Sequence, residues 1–393
     1  MSLRDSRAVA VALVTFATFT DIVAYSIAVP VLPDLSRRLG ASPTTIGLLF
    51  ASFGLTLLIV SMPMGAMSDR IGRKAPMAGG LVALAAATLL FAFARGLPGL
   101  FAARLVQGAA DAVTWVVGFA LIADLYGAEE RGRVTGIVMS GTGFAFMVGP
   151  SLGGWLYEMG GIRLPFVTVA AMAVAGALAF LWLRIPSPRS AHDPVPIGVV
   201  LRVPAIGACA AAVVAASATI TMLEPVMAMH LQTLGVGPAR IGLLFGIAAV
   251  ATTLLHPIYG RLADRWGARR LTLLGLLLTS LVLPILARTR TFESAVALFV
   301  LQVATMALVI TPSLAYMGEA TSDAGIKSFG VAYGLYNVAW GAGLLGGPAL
   351  GGFLFERMGF AGLAIVWAPA VIAITLLLAR AGSRPTAARL LAD

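Results

Sequence analysis

Residues 46–72, IGLLFASFGLTLLIVSMPMGAMSDRIG, decide the fold because their pattern returns 195 residues later. The second copy, IGLLFGIAAVATTLLHPIYGRLADRWG, occupies residues 241–267. Each copy begins with an apolar run of the length that crosses a bilayer, about 20 residues, and ends in a polar segment with Asp, Arg and Gly. A register shared over this distance predicts a duplicated membrane protein.

The repeat continues on both sides of this stretch. At the same offset Pro30 meets Pro225 and Pro43 meets Pro238, and GPSLGG at 149–154 returns as GPALGG at 347–352. Two parallel repeats in a transporter place the substrate path at their interface near the bilayer midplane. We therefore expect alternating access by two similar halves.

The composition allows about a dozen membrane helices. Of 393 residues 59% are apolar and 11% are charged, whereas soluble domains carry about 25% charged residues. We predict an all-α membrane protein with two six-helix bundles related by pseudo-two-fold symmetry, at 1–183 and 204–393, joined by a cytoplasmic linker at 184–203. The predicted spans are 8–32, 45–67, 75–94, 100–125, 134–157, 164–183, 204–228, 241–262, 271–287, 295–317, 328–355 and 361–379.

The basic residues give the orientation. With both termini in the cytoplasm, 18 of the 27 Lys and Arg residues lie on that side and 8 on the outer side, with Arg104 inside the fourth span. This excess agrees with the positive-inside rule. We expect a multi-pass protein of the cell inner (cytoplasmic) membrane, without a cleavable signal peptide. The net charge of +10 is spread over short loops and forms no patch for nucleic acid.

Four charged side chains fall deep within predicted spans: Asp21, Arg104, Asp111 and Glu224. A charge at the bilayer centre costs about 2.5–3.5 kcal/mol, so such residues usually serve a pathway. Three carboxylates against one guanidinium favour cationic cargo and proton exchange. Burial disfavours a charged carboxylate, so Asp21 can hold either a proton or a cation. A structural role as a polar packing residue is the alternative.

The other deep charges also have two interpretations. Glu224 precedes Pro225, which loosens the helix at a suitable place for a gate, or it is a hydrated carboxylate near the outer surface. Arg104 and Asp111 lie two turns apart on one helix face, about 10 Å along the axis. They form a static charge pair, or they take part in the proton coupling that the family resemblance described below implies.

Aromatic and polar side chains supply further candidates. Tyr25, Trp115 and Tyr336 can hold a lipophilic cation through cation–π contact, and Asn337 can hydrogen-bond a substrate. Packing between helices explains each of them equally well. His256, next to Pro257, is a candidate proton carrier, with a packed neutral histidine as the alternative.

Four motifs carry a family resemblance. GAMSDRIGRK at 65–74 resembles the signature of the major facilitator superfamily, and GRLADRWGARR at 260–270 is its second copy. RLVQG at 104–108 is similar to the fourth-helix motif of proton-coupled members. GTGFAFMVGPSLGG at 141–154 resembles the fifth-helix motif of twelve-span antiporters; its motif residues here are Gly141, Gly149, Pro150, Gly153 and Gly154.

The resemblance implies a conformational latch at the cytoplasmic ends of the second to fourth spans, formed by Asp69, Arg70, Arg73 and Asp124. We expect Arg70 to pair with Asp124 and Asp69 to face the positive N-terminus of a neighbouring helix. The alternative is that these charges anchor helix ends in lipid headgroups.

A closer resemblance is to the drug:proton antiporters that include the vesicular amine transporters. It rests on Asp21 with Pro30 nine residues later, and on Leu223, Glu224 and Pro225. The chain also departs from that group. The acidic residues expected in the tenth and eleventh helices fall near Ala307 and on Asn337, and Asp111 is additional.

The sequence thus predicts a proton-coupled antiporter, monomeric in the bilayer, that exports small lipophilic or cationic compounds. The alternatives are an exporter of a neutral metabolite or sugar, an anion exchanger using Arg104, and a non-transporting receptor. An enzyme is not expected, since the phosphate-binding GxxxxGK[ST] pattern is absent and the three His residues are scattered. Cys209 is the single Cys, so we expect no disulfide, no metal site and no cofactor.

Overall fold

The computed structural model describes residues 6–184, 203–324 and 329–381, which are almost entirely helical. The predicted linker at 184–203 lies almost wholly outside the described residues. The helices are α1 Arg7–Ser26, α2 Leu32–Leu39, α3 Pro43–Ile71, α4 Lys74–Phe93, α5 Leu97–Leu125, α6 Ala128–Gly160, α7 Arg163–Trp182, α8 Pro204–Thr233, α9 Pro238–Trp266, α10 Ala268–Leu286, α11 Phe292–Asp323 and α12 Phe329–Ala381.

Twelve spans fit these helices. A short 3-10 turn at Val29–Val31 joins α1 to α2 into the first span. By length and composition, eleven segments of the described chain are able to cross a membrane, and the last of them contains 47 residues. Because one crossing needs about 20 residues, α12 has room for two, and non-helical Gly359 divides it. The prediction of twelve apolar helices agrees with this arrangement.

The helices extend beyond the predicted spans. The prediction ended the tenth span at residue 317, whereas α11 continues to Asp323. Its last turns are polar but contain neither Pro nor a left-handed Gly, so nothing interrupts the backbone hydrogen bonds where the apolar run stops. Apolar runs therefore predict the membrane-spanning part of a helix and underestimate the helix itself.

Glycines with positive φ confirm the repeat in the backbone. Left-handed φ values are costly for residues with a Cβ atom and common at the C-terminal ends of helices. All six positive-φ glycines in the described chain form repeat-related pairs: Gly40 with Gly235, Gly72 with Gly267, and Gly161 with Gly359. The two halves therefore end corresponding helices in the same way.

The helices form two compact units. The first consists of the described residues up to 184 together with 231–249, and the second of 203–230, 250–324 and 329–381. In the first unit α5 is central, packing on α3 and α4 and also on α1. In the second, α10 packs on α11 and α12. The predicted division into two bundles at the linker stays a prediction.

The antiporter-type glycines are packing positions. A Cβ atom on Gly153 would lie 2.6 Å from the carbonyl oxygen of Ile27 just after α1, and one on Gly149 would overlap Ser26 Oγ. Small residues of this kind allow membrane helices to approach closely. The second unit uses the same device, with Gly347 against Ala218. Their predicted role in antiport stays a prediction.

Replacing Gly153 by Ala is expected to destabilise the first unit. The new methyl group would meet the backbone of Ile27, which cannot rotate away as a side chain can, and overpacking costs about 1–3 kcal/mol. Gly136→Ala in the same helix is the matched control, because a methyl group added there would have no neighbouring atom within 4 Å. Thermal unfolding in detergent measures the difference. Equal midpoints for the two variants would contradict the packing role.

Candidate functional site

Helices α1 and α5 bring two buried carboxyl groups together. Asp21 of α1 is 1% exposed and Asp111 of α5 is 6% exposed. Their carboxyl groups are neighbours, and the indole of Trp115 faces both. Thr114 Oγ1 donates to Asp21 Oδ2 at 3.1 Å. We call Asp21 and Asp111 the carboxyl pair.

One oxygen of the carboxyl pair has no hydrogen-bond partner despite its depth. Within the described part of the chain, Asp21 Oδ1 is buried and has no hydrogen-bond partner. Thr114 Oγ1 also lies 3.1 Å from Ala110 O and 3.0 Å from Asp111 O, so its one hydrogen is shared among three acceptors. A buried polar atom left unsatisfied costs about 1–3 kcal/mol. A carboxyl oxygen kept in that condition is suited to binding a proton or a cation.

Arg104, which is on α5 like Asp111, lies in an aromatic box formed by the rings of Tyr25, Phe50 and Phe91. Its side chain is fully buried, with the guanidinium carbon 4.1 Å from the ring centroid of Phe50, 5.3 Å from Phe91 and 5.6 Å from Tyr25. Arg104 Nη1 also donates to Gln107 Oε1 at 3.3 Å. Tyr25, predicted as a substrate contact, is thus a wall of the box around Arg104. Asp111, for which a static pair with Arg104 was one of the two interpretations, lies beside Asp21.

The second half supplies an internal control for these charges. The four buried charged side chains in the described chain, Asp21, Arg73, Arg104 and Asp111, all belong to the first half. The equivalents of the three in mid-span, 195 residues later, are the buried Ala216, Phe299 and Met306. Because the repeat builds the same helices with apolar residues there, helix packing alone does not require the charges.

The predicted residues of the second unit have varied surroundings. Glu224 is half-buried in α8, directly before the internal Pro225. Tyr336 is buried, with its hydroxyl 3.1 Å from Ser313 Oγ, while Asn337 is exposed. His256 Nδ1 lies 2.6 Å from Thr311 Oγ1. These contacts give Tyr336 and His256 structural partners and leave their role in transport a prediction.

The polar cluster after α3 is centred on Arg73. Its guanidinium lies 2.6 Å from Asp69 Oδ1 and 2.8 Å from Asp124 Oδ2, and Nη1 donates to Ser68 Oγ at 2.5 Å. The predicted pairing of Arg70 with Asp124 is wrong, since Arg70 is exposed on α3 and Arg73 holds Asp124. Gly72, with φ of 86°, reverses the chain after α3 and brings the following residue, Arg73, back over the helix end.

The second copy of this cluster lacks the central arginine. Asp264 and Glu319 stand at the positions equivalent to Asp69 and Asp124, but Ala268 replaces Arg73. Arg269 donates instead to the carbonyl oxygens of Leu378 and Ala379 in α12, at 3.5 and 3.0 Å. The carboxylate–arginine–carboxylate cluster is therefore specific to the first half.

Arg73→Ala is expected to destabilise the protein by about 1–3 kcal/mol. Breaking a buried pair costs about 3–5 kcal/mol, but both carboxylates here are partly exposed and therefore screened. Arg70→Ala is the control, because Arg70 has the same charge at an exposed position three residues earlier. Thermal unfolding at low and high salt checks both. An Arg73→Ala midpoint no lower than that of Arg70→Ala would contradict the central role of Arg73.

Several residues of the site gave no signal in the sequence. Phe50 of α3 and Phe91 of α4 are buried in the aromatic box, whereas Phe93 and Phe144 are about half exposed on the surface. Nothing in composition or spacing separates the two kinds of Phe. Thr114 lies three residues after Asp111, a neighbouring position on a helix, and that spacing would have identified it.

Comparison with known proteins agrees with the fold and the motifs. The family model described as Major Facilitator Superfamily matches residues 14–223 and 208–392. The chain is 28% identical to the Probable vesicular acetylcholine transporter-B of Danio rerio, over 93% of this chain and 79% of that protein. It is 28% identical to the synaptic vesicular amine transporter of Homo sapiens, over 84% of this chain and 65% of that protein.

Solved structures share the fold at lower identity. A bacterial homologue of the human lysosomal transporter Spinster, in an inward-facing and unoccupied conformation, superposes with a TM-score of 0.79 at 17% identity, over 97% of this chain and 99% of that chain. The human organic anion transporter MFSD10 gives a TM-score of 0.70, also at 17% identity, over 94% of this chain and 99% of that chain. With the family model matching nearly the whole length, the chain belongs to the Major Facilitator Superfamily and is a multi-pass membrane transporter rather than an enzyme.

Proposed function

We propose that this transporter is a proton-coupled antiporter that exports small organic cations, amines among them, by alternating access. The observation that carries the proposal is the carboxyl pair of Asp21 and Asp111, buried in mid-span where the second half has Ala216 and Met306. The similarity to vesicular amine and acetylcholine transporters supports the cationic substrate.

The chemistry of the pair supports exchange rather than simple binding. A carboxylate in an apolar interior needs a positive charge beside it, and either a proton or an organic cation supplies one. Two such ligands on the same oxygens compete. On the side with the higher proton concentration a proton displaces the cation from the site. On the other side the proton leaves and a new cation binds, so the proton gradient drives the cation.

The direction and location follow from the distribution of basic residues. The predicted excess of Lys and Arg on one side supports cytoplasmic termini and a cell inner membrane. With the proton gradient directed inward, exchange at the pair then exports the cation. Asp69, Arg73 and Asp124 fall at the cytoplasmic ends of their helices in this orientation, where a charged latch would act on conformation rather than on substrate.

The test uses purified protein in liposomes that contain a pH-sensitive dye. A gradient of tryptamine, a primary amine, is expected to drive protons in the opposite direction, and choline is expected to do so more weakly. Glucose and benzoate are expected to move none above the background, which empty liposomes give for passive diffusion of the neutral amine and of benzoic acid. Proton movement driven by glucose or benzoate alone would replace the proposal with a sugar or anion exchanger. No proton movement with any compound would favour the receptor.

A further inference from the structure

We propose that Asp21 and Asp111 form one two-carboxyl site, which holds either a single proton or a single protonated primary or secondary amine. The positive charge of Arg104 sets this capacity. This inference rests on the proposed function and adds the substrate class and the number of charges. Three observations carry it: the contact between the carboxyl groups, the missing partner of Asp21 Oδ1, and the buried cation on the same helix as Asp111.

The charges of the buried residues determine the capacity. With both carboxyl groups ionised, the pair and Arg104 carry a net charge of −1. One added positive charge makes the cluster neutral, and a second makes it +1. Because an uncompensated charge in an apolar interior is costly, the neutral occupancy is favoured. The site therefore exchanges one proton for one monovalent cation.

The hydrogen-bond geometry determines the substrate class. Two adjacent carboxyl groups offer several acceptor sites and no donor of their own when ionised. A shared proton satisfies one oxygen of each group. A primary or secondary ammonium has at least two N–H donors and is able to donate to both groups at once, whereas a quaternary ammonium has none. We expect affinity to fall when the N–H groups are methylated at constant charge.

Other ionisable groups are too distant in the helices to replace either carboxyl. On α1 and α5 the remaining mid-span groups are Arg104 and the phenol of Tyr25, which contact each other in the aromatic box. The other ionisable side chains that the structure describes on these two helices and on α3, α4, α6 and α7 lie near helix ends, namely Arg7, Asp69, Arg70, Lys74, Asp124, Glu130, Arg133, Tyr157, Glu158 and Arg163. The capacity of the site for one added positive charge therefore depends on Asp21, Asp111 and Arg104.

The experiment measures tryptamine binding and proton release together, on purified protein in weakly buffered detergent solution above and below neutral pH. We expect wild type to release at most one proton per amine bound, approaching one as the pH falls. Asp111→Asn makes the cluster neutral without a ligand. The affinity of this variant for tryptamine is expected to fall by at least about tenfold, and binding is expected to release no proton. Asp111→Glu keeps the charge and is expected to retain the release.

The outcomes separate this inference from the proposed function. If Asp111→Asn keeps wild-type affinity and proton release while Asp21→Asn loses both, Asp111 has a structural role and the two-carboxyl site is overturned, but the antiporter stands. If N,N,N-trimethyltryptammonium binds as tightly as tryptamine, the amine class is overturned. If the wild-type protein shows no proton-linked amine transport, the proposed function and this inference are both overturned.

Discussion

Asp21→Asn is expected to abolish proton-linked amine transport while leaving the protein folded. Asparagine has the same shape, and its amide oxygen is able to accept the hydrogen bond from Thr114 Oγ1 that Asp21 Oδ2 accepts at 3.1 Å. The change removes the charge and leaves the packing. Asp111 and Arg104 then compensate each other, so neither a proton nor an amine gains by entering. Transport in liposomes is expected to fall by at least about 100-fold, the effect of losing an interaction of roughly 3 kcal/mol.

The control for this variant is Glu130→Gln, which neutralises an exposed carboxylate at the start of α6. It is expected to transport at the wild-type rate. Asp21→Glu tests the geometry, since it keeps the charge but moves it by one methylene within a packed interior. Full transport by Asp21→Asn, with an unchanged number of protons per amine, would remove Asp21 from the mechanism and with it the main support for proton exchange.

The fold was predictable because its determinants are local. Apolar runs and the proline and glycine breaks between them each determine the structure of a few helical turns. The 195-residue repeat presents the same local patterns twice, and the positive-φ glycine pairs are part of those patterns. The exceptions have local causes too. Helices such as α11 run past the apolar segment because backbone hydrogen bonding continues until a residue interrupts it.

The site was only partly predictable because its contacts are long-range. Sequence reasoning selected Asp21, Arg104 and Asp111 one by one from the cost of burying charge, and the only partner that it offered for Asp111 was Arg104 on the same helix, as one of two alternatives. Only the packing of α1 against α5 places Asp111 beside Asp21. In the same way, Arg73 rather than Arg70 binds Asp124 because a single left-handed glycine, Gly72, redirects the chain.

The asymmetry between the halves indicates how a duplicated fold acquires function. Both halves keep the glycine contacts and helix ends that the fold needs. Only the first half has charges at the mid-span positions of α1 and α5, and only it has an arginine between the two carboxylates at the helix ends. Residues shared by the copies therefore follow the demands of folding, and residues found in one copy are the better candidates for transport.

Arg104→Gln is expected to change the number of charges that the carboxyl pair binds. Without the guanidinium the pair carries −2 when ionised, so neutrality requires two positive charges in place of one. Proton release per bound tryptamine is not expected to exceed one, but one proton should remain on the pair after the amine binds. The variant is therefore expected to retain a titratable proton in the amine complex that wild type lacks, seen by infrared spectroscopy as a protonated carboxyl band.

The same variant also removes a stabilising contact. A desolvated cation–π interaction contributes about 2 kcal/mol or more, and Arg104 lies against three rings. Arg104→Lys keeps the charge, so its amine complex should lack the protonated carboxyl band, as wild type does. It should not regain all the stability, since an ammonium does not stack as a planar guanidinium does. Arg95→Gln, at an exposed loop position, controls for the loss of positive charge. The decisive variant is Arg104→Gln with Asp111→Asn, which returns the net charge to −1. It should recover the one-for-one exchange that Asp111→Asn loses, without the retained proton of Arg104→Gln. A double variant as inactive as Asp111→Asn alone would show that charge balance does not set the capacity of the site.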